Sequence, residues 1–303
     1  MLYETEDLAS LNKAIILLDG GRALKQRIIS GIAIIIVILG MIWFGGAVTC
    51  VGMCLISLVA FYELASVTGV VEKEHKANSL IILGMASVIA LYSLLFLCNW
   101  SVAGLVLVLL FILMLVCYVV EFPRYHASQL MNVIFSFFYG PFLLSYIYLT
   151  RDFDDGKIVA GKTVGFYLAW MIFISPWLSD TMAFFVGSKF GKHKIFPKLS
   201  PKKSVEGCIG GLFGGVIGGI AYYYLLRFMA IEIESMSVGF LAVIGLFGSL
   251  FGQIGDLVAS AIKRNYGIKD YGKLIPGHGG IMDRFDSLLL IAPIMCFLCS
   301  YIG

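Results

Sequence analysis

The chain has 303 residues, of which 60% are hydrophobic and 14% are charged, and its formal net charge is +3. Soluble domains carry about 45–50% apolar and roughly 25% charged residues. This composition excludes an ordinary soluble domain and a disordered chain, and it indicates a polytopic helical membrane protein.

Residues 1–27 precede the first long apolar segment and form a leader. The leader does not have the short apolar core and small-residue cleavage site of a secretory signal peptide. Its stretch LASLNKAIILLDGG fits a helix that lies on the membrane surface and equally well a disordered segment. The sequence leaves both interpretations open.

Nine apolar segments follow, each near the roughly 20 residues that a helix needs to cross a bilayer. They cover about residues 28–46, 47–69, 79–98, 102–121, 130–149, 163–188, 205–229, 237–261 and 286–302. Only GGAV separates the first two segments, so eight spans is the alternative count. We predict an all-α membrane protein with about nine transmembrane helices. In it, residues 28–160 form the N-terminal helices and residues 161–303 form a C-terminal transmembrane region, which the motifs described below predict to be catalytic.

Lysines and arginines concentrate in alternate connecting segments. If the N-terminus is cytoplasmic, all but four of the 22 Lys and Arg residues fall in cytoplasmic segments. The four on the opposite side are Arg151, Lys157, Lys162 and Arg227. Because cytoplasmic loops hold the excess of basic residues, the N-terminus is predicted to be cytoplasmic.

Acidic residues lie inside or at the ends of the C-terminal apolar segments. Asp180 and Asp256 fall within predicted helices, Glu206 begins another, and Asp283 and Asp286 begin the last one. An acid at the centre of a bilayer costs about 2.5–3.5 kcal/mol even on a lenient scale, so it usually faces a cavity, pairs with a cation or binds an ion. We expect these helices to bring the acids together in the cytoplasmic third of the membrane.

Helical spacing places polar residues on a common face of the segment 237–261 and its continuation. Gln253, Asp256, Ser260 and Lys263 are spaced so that they share one side of a helix. The segment 205–229 carries glycines at every fourth position in two parallel rows. This doubled pattern of small residues predicts that neighbouring helices pack closely against it.

A basic loop precedes the segment 205–229. The stretch KFGKHKIFPKLSPKKS holds six lysines in 16 residues and ends at Ser204, which can cap the following helix. Free N–H groups at a helix N-terminus, beside Lys202 and Lys203, favour the binding of phosphate. A role in topology and in attraction to anionic lipid is the preferred interpretation for Lys192, Lys194 and Lys198.

The stretch IPGHGGIMDRFD lies between the last two apolar segments. Glycines around His278 allow the backbone to approach a ligand closely. Asp283 and Asp286 lie one turn apart on one helix face, with Arg284 between them. With Asp256 they predict a composite site, in which carboxylates bind Mg²⁺ and basic residues bind phosphate oxygens.

These motifs resemble those of the phosphatidate cytidylyltransferases, also called CDP-diacylglycerol synthases. Two stretches, GDLVASAIKR and LIPGHGGIMDRFDS, and the KD pair between them match the family pattern. The matching residues are Ser260, Lys263, Arg264, Lys269, Asp270, Pro276, Gly277, His278, Gly279, Gly280, Asp283, Arg284 and Asp286. DTMAFFVGSKFGK and SPKKSVEG also look like family elements, although Phe184 replaces the usual tyrosine and Ser204 the usual threonine. The resemblance covers about residues 175–287.

The resemblance implies a Mg²⁺-dependent nucleotidyltransferase of phospholipid biosynthesis, which joins CTP to phosphatidate and releases CDP-diacylglycerol and pyrophosphate. It implies a metal-binding role for Asp256 and Asp283. Asp286 and Asp180 are then further ligands or neighbours of the metal, and a second cation such as K⁺ is left open. His278 is expected to contact phosphate or to donate a proton to the leaving group.

Charge and motif together assign the remaining expected roles. The residues expected to carry catalysis are Asp256, Asp283, His278, Lys263 and Arg264. The residues expected to bind the triphosphate and the lipid phosphate are Lys202, Lys203, Ser204, Ser260, Lys269, Asp270, Arg284, Gly279 and Gly280. The predicted partners are CTP, phosphatidate and membrane lipids, with a homodimer left open and no nucleic acid. The predicted location is the inner (cytoplasmic) membrane, crossed several times, with the site facing the cytoplasm.

Two other functions are alternatives. Acids within the membrane and glycine-rich helices are also typical of a cation-coupled secondary transporter. Such transporters usually carry inverted repeats, and the two halves of this sequence show no convincing similarity. Another nucleotide-dependent lipid transferase or a lipid kinase is the alternative that is closer in chemistry.

Overall fold

The computed structural model describes residues 29–70, 78–97, 100–154 and 158–299, together with Gln26 and Gly156. The leader stretch for which a surface helix and a disordered segment were both left open lies outside the described residues, as does Lys157.

Helices account for most of the described residues. In chain order they are α1 (Ile29–Phe44), α2 (Gly46–Val67), α3 (Ser79–Phe96), α4 (Trp100–Val120), α5 (Ala127–Phe137), α6 (Leu143–Arg151), α7 (Val164–Phe190), α8 (Val205–Phe228), α9 (Val238–Asn265), α10 (Met282–Phe285) and α11 (Leu288–Cys299). A π-helical turn, Phe138–Phe142, joins α5 to α6. A short antiparallel hairpin of β1 (Ile158–Val159) and β2 (Lys162–Thr163) precedes α7.

Six helical segments among the described residues are long and apolar enough to cross a membrane. They are Gly46–Val67, Ser79–Phe96, Ala127–Arg151, Val164–Phe190, Val205–Phe228 and Val238–Asn265. Three shorter apolar helices are Ile29–Phe44, Gly104–Val120 and Leu288–Cys299. The prediction of an all-α polytopic membrane protein is therefore confirmed. The number of helices that cross the bilayer and the side on which the N-terminus lies stay predictions.

A glycine pair separates the first two helices. The φ angles of Gly45 and Gly46 are +67° and +48°, in the left-handed region that favours glycine. The chain reverses at this point, so that Met41 of α1 lies directly against Gly52 of α2, where a Cβ atom would be 2.7 Å from the Met41 methyl carbon. The first two predicted segments are therefore two separate helices.

Helix α8 lies between α7 and α9, and its glycines allow both helices to approach. On one side, a Cβ atom at Gly214 would lie 2.6 Å from the Leu178 carbonyl oxygen of α7. On the other side, a Cβ atom at Gly219 would overlap the Leu241 carbonyl of α9. The predicted close packing of this glycine-rich helix is confirmed. Small residues serve this purpose within membranes because lipid tails give little hydrophobic force between helices.

One end of the helix bundle gathers the segments that form the candidate site. Helices α7 and α9 end there, and α8 and α10 begin there. The start of α1 and the end of α2 lie at the same end, because Ser30 and Glu63 both contact the turn between α9 and α10. Helix packing thus brings the two halves of the chain to one place.

We expect Gly219→Val to destabilise the protein strongly. Its methyl groups would occupy the position of the α9 backbone, and overpacking typically costs about 1–3 kcal/mol. Backbone moves less easily than a side chain, so the upper part of that range is expected. The measurement is the melting temperature of the purified protein in detergent.

The matched control for this substitution is Gly104→Val, because open space surrounds Gly104 in α4. Equal melting temperatures for the two variants would contradict the packing argument.

Candidate active site

Asp283 lies at the centre of a buried hydrogen-bond network. Its side chain is only 3% exposed, and Oδ1 lies 2.9 Å from the Lys263 ammonium. The other oxygen, Oδ2, accepts the backbone N–H groups of Tyr271 at 2.7 Å and Gly280 at 3.0 Å. A buried carboxylate needs such donors to compensate for lost hydration. Asp283 therefore joins α9, the loop that follows it and the glycine-rich turn.

Lys263 lies between the carboxylates of Asp283 and Asp286. Its ammonium lies 2.9 Å from Asp283 and 3.7 Å from Asp286, as expected of acids one helical turn apart. The same ammonium lies 5.3 Å from the centre of the Tyr271 ring, and the Tyr271 hydroxyl donates to the Ala259 carbonyl oxygen at 3.0 Å. Burial raises the pKa of that hydroxyl, so it stays neutral. The structure breaks the predicted last helix between α10 and α11, and Asp286 lies at this break.

Glu63 of α2 holds the glycine-rich turn from the opposite side. Its Oε1 accepts the backbone N–H of Ile281 at 3.1 Å, and its Oε2 accepts that of Met282 at 2.9 Å. Gly280 lies so close to this carboxylate that a Cβ atom would overlap it. Glycine is therefore required here for close approach.

Glu63 was not predicted as a site residue, although the sequence carries a signal for it. Glu63 is an acid inside the predicted apolar span 47–69. Like Asp180 and Asp256, it is an acid whose burial in a bilayer is costly unless it pairs or binds an ion.

His278 lies in the turn and contacts the first helix. Its Nδ1 is 2.8 Å from the Ser30 hydroxyl, which also lies 3.3 Å from the Pro276 carbonyl oxygen. The φ angles of Gly277 and Gly279 are +77° and +87°, so both positions favour glycine. The contact orients the His278 ring. Ser30 was not predicted, and no pattern in the sequence distinguishes it.

A second ion pair lies on the side of α9 that faces α8. Asp256 Oδ2 is 2.6 Å from the Lys203 ammonium, which also lies 3.5 Å from the Gln253 carbonyl oxygen. The Asp256 side chain is 39% exposed, in contrast to Asp283. Because Lys203 precedes Ser204, the cap residue of α8, this ion pair joins the N-terminus of α8 to α9. It also places the accessible Asp256 carboxylate next to that N-terminus.

A cavity of about 450 Å³ opens beside this ion pair, between α7, the basic loop and α9. Its lining includes Asp180, Gly187, Lys202, Lys203, Ser204 and Gln253. The predicted cap is confirmed, since Ser204 Oγ accepts the Gly207 N–H at 3.2 Å. A helix N-terminus with two adjacent lysines is suited to an anion.

Other predicted site residues lie further from the acid network. Arg264, Lys269 and Arg284 are exposed, and the Arg264 guanidinium contacts the Ile268 carbonyl at 3.4 Å rather than an acid. Ser260 is half-buried on α9. Asp270 is exposed and lies beside Gly279. The structure thus pairs Asp256, Asp283 and Asp286 with two lysines and leaves the arginines at the edge. Glu206, which was expected to join these acids, instead contacts the His193 ring at 2.6 Å.

The donor set fits a hard cation. Carboxylate oxygens are the ligands that Mg²⁺ prefers. Within the described ranges, no three His, Cys, Asp or Glu side chains are grouped closely enough to hold a metal by themselves. Mg²⁺ usually keeps several waters and binds one or two carboxylates together with substrate phosphates. The arrangement therefore fits a metal that is completed by a phosphate ligand.

Comparison with known proteins gives consistent matches. The model of the cytidylyltransferase family matches residues 25–302. The chain is 31% identical to a phosphatidate cytidylyltransferase of Bacillus subtilis over 284 residues, which cover 91% of this chain and 98% of the relative. It is 36% identical to a phosphatidate cytidylyltransferase of Staphylococcus aureus over 137 residues, which cover 45% of this chain. The aligned region spans about half of the length of this second relative, 50%.

We expect Glu63→Gln to loosen the glycine-rich turn. The glutamine amide replaces one of the two carboxylate oxygens with an NH₂ group, which cannot accept the backbone N–H of Ile281 or Met282. Hydrogen bonds to charged groups contribute about 1.5–3 kcal/mol, which corresponds to roughly 10- to 100-fold faster amide exchange. The measurement is hydrogen exchange at Ile281 and Met282 in the purified protein.

Glu234→Gln is the control for this variant, since Glu234 is an exposed acid in the connection after α8, at the other end of the bundle. Unchanged exchange at the turn in the Glu63 variant would show that the carboxylate does not hold it.

Proposed function

The chain belongs to the cytidylyltransferase family, and we propose that it joins CTP to phosphatidate, forming CDP-diacylglycerol and pyrophosphate. The observation that carries this proposal is the pairing of a lysine-lined cavity with a buried acid network at one end of an apolar helix bundle. Such a site suits a polyanionic nucleotide and a phosphorylated lipid. Family membership favours a nucleotidyltransferase over the transporter alternative.

The proposed reaction is an in-line displacement at the α-phosphorus of CTP. An oxygen of the lipid phosphate forms the new P–O bond, the bond to the bridging oxygen breaks, and pyrophosphate leaves. The second pKa of a phosphomonoester is about 6, so the nucleophile is largely anionic at neutral pH and needs no strong general base. The barrier is mainly repulsion between charged phosphates. Positioning and positive charge therefore supply most of the rate enhancement.

The cavity residues are the best candidates for binding the triphosphate. Lys202 and Lys203 provide ammonium groups beside the N-terminus of α8, where the helix dipole favours an anion. Lys263 is held between Asp283 and Asp286, which keeps its ammonium in a fixed position for a phosphate oxygen. We assign His278 to contact phosphate or to give a proton to the leaving pyrophosphate.

We propose Mg²⁺ as the cofactor. Asp256 and Asp283 are its proposed ligands, with Asp286 and Asp180 next to it, and a second cation such as K⁺ remains part of the prediction. When bound, the metal neutralises negative charge on the reacting phosphates. Lys203 and Lys263 lie against Asp256 and Asp283, so both ammonium groups stand beside the carboxylates that would hold the metal.

We propose that the site faces the cytoplasm from the inner membrane. Three of the four basic residues assigned to the other side support this orientation. Arg151 and Lys162 contact the carbonyl oxygens of Ile42 and Trp43 at the α1–α2 turn, and Arg227 lies in the last turn of α8. All three lie at the end of the bundle opposite the acid network. A homodimer stays a prediction.

The reaction itself is tested with the full chain in detergent, phosphatidate, Mg²⁺ and labelled CTP. We expect cytidine label to enter the extracted lipid. Removal of metal by EDTA should abolish incorporation. Asp256→Asn should lower it about 100-fold or more, because electrostatic stabilisation of this kind is worth several kcal/mol.

Asp154→Asn is the matched control, an exposed acid at the opposite end of the bundle. If the wild-type protein labels no lipid with several phosphatidates, the proposed function is wrong. If label persists with EDTA, the metal is not required.

Lys203 is expected to contribute to the affinity for CTP. Lys203→Met should raise the Kd for CTP about 10- to 100-fold, because a hydrogen bond to a charged group is worth about 1.5–3 kcal/mol. Lys198→Met, in the same loop but outside the cavity lining, should leave the Kd unchanged. Equal affinities of the two variants, measured by calorimetry, would exclude Lys203 from the nucleotide site.

A further inference from the structure

The π-helical turn Phe138–Phe142 brings part of the N-terminal half close to the site. Pro141 has no backbone N–H and interrupts regular helical hydrogen bonding. Turns of this kind occur frequently at functional sites. Gly140 lets the turn lie against α2, where a Cβ atom would be 3.1 Å from Leu64 Cδ1. Leu64 follows Glu63, which holds the glycine-rich turn.

Tyr139 in this turn has a buried hydroxyl without a hydrogen-bond partner among the described residues. The residue is only 7% exposed. Its ring stacks on Phe135 with the ring centres 5.2 Å apart, which fixes the direction of the side chain. Buried polar groups are nearly always paired, so an unpaired one needs an explanation such as a missing ligand.

The Tyr139 hydroxyl lies within electrostatic range of Asp286 and Asp256. The hydroxyl of Tyr271, a residue whose backbone N–H donates to Asp283, is also within range. The Tyr139 hydroxyl forms no hydrogen bond with any of these groups in the described chain. The Tyr139 hydroxyl therefore keeps its hydrogen-bonding capacity unused in the neighbourhood of Asp286 and Asp256.

We propose that the Tyr139 hydroxyl donates a hydrogen bond to a phosphoryl oxygen of a substrate, which makes Tyr139 a further substrate-binding residue. This inference rests on the proposed function. A phenol suits the position because it is a neutral donor. It can bind a phosphate oxygen next to buried acids without forming the ion pairs that a lysine would form with them. Lipid phosphate and nucleotide phosphate share this chemistry.

The test is Tyr139→Phe, which removes only the hydroxyl. We expect kcat/KM to fall about 10- to 100-fold, as is typical when a hydrogen bond to a charged group is lost. We expect the melting temperature to stay the same or rise, since no protein hydrogen bond is lost. A rise in KM for phosphatidate would assign the hydroxyl to the lipid phosphate, and a rise in KM for CTP would assign it to the nucleotide.

Tyr222→Phe is the matched control. The Tyr222 hydroxyl is equally buried but donates to the Tyr167 carbonyl oxygen at 2.8 Å, far from the site. This variant should lose thermal stability and keep its kcat/KM. If the inference is right, Tyr139→Phe lowers kcat/KM without lowering the melting temperature. Tyr222→Phe does the reverse.

Two results would overturn the inference. The first is an active wild-type protein whose kcat/KM is unchanged by Tyr139→Phe. The second concerns a wild-type protein that forms no CDP-diacylglycerol, an outcome that overturns the proposed function but does not by itself test the role of Tyr139. Direct binding of CTP and of phosphatidate to the wild type and to the variant then decides, and equal affinities for both ligands would exclude a phosphate contact.

Discussion

The buried carboxylate of Asp283 is the group on which the rest of the site depends. A charge in an apolar bundle is strongly unfavourable unless donors surround it, and here the donors come from α9, from the loop after α9 and from the glycine-rich turn. Satisfying one acid therefore fixes three stretches of chain relative to each other. The loop folds back onto the bundle for this reason, although Lys269, Asp270 and Lys273 in it are charged and exposed.

Close helix packing supplies the frame for this network. Glycines on both sides of α8 bring the backbones of α7 and α9 near to it, which sets the distance between the basic loop and the acids of α9. At that distance the Lys203 ammonium reaches Asp256. A larger residue at the interface would move the lysines away from the acids, so packing and electrostatics are coupled in this part of the molecule.

The N-terminal half contributes more to the site than its apolar composition indicates. Glu63 of α2 accepts two backbone N–H groups of the glycine-rich turn, and Ser30 of α1 contacts His278. Both contacts act on the turn rather than on the acids. The C-terminal region therefore carries most of the charged groups, while helices from the N-terminal half hold its most constrained loop in position.

The sequence by itself determined the helices, the Ser204 cap and the grouping of Asp283 with Asp286, because apolar length, capping and helical spacing are local properties. Only the tertiary structure decided which lysine pairs with which acid, and that Glu63 and Ser30 reach the turn. Those last contacts join residues 218 and 248 positions apart. Helices that are apolar all round give no sign of which neighbour they pack against, so nothing local in the sequence encodes such pairs.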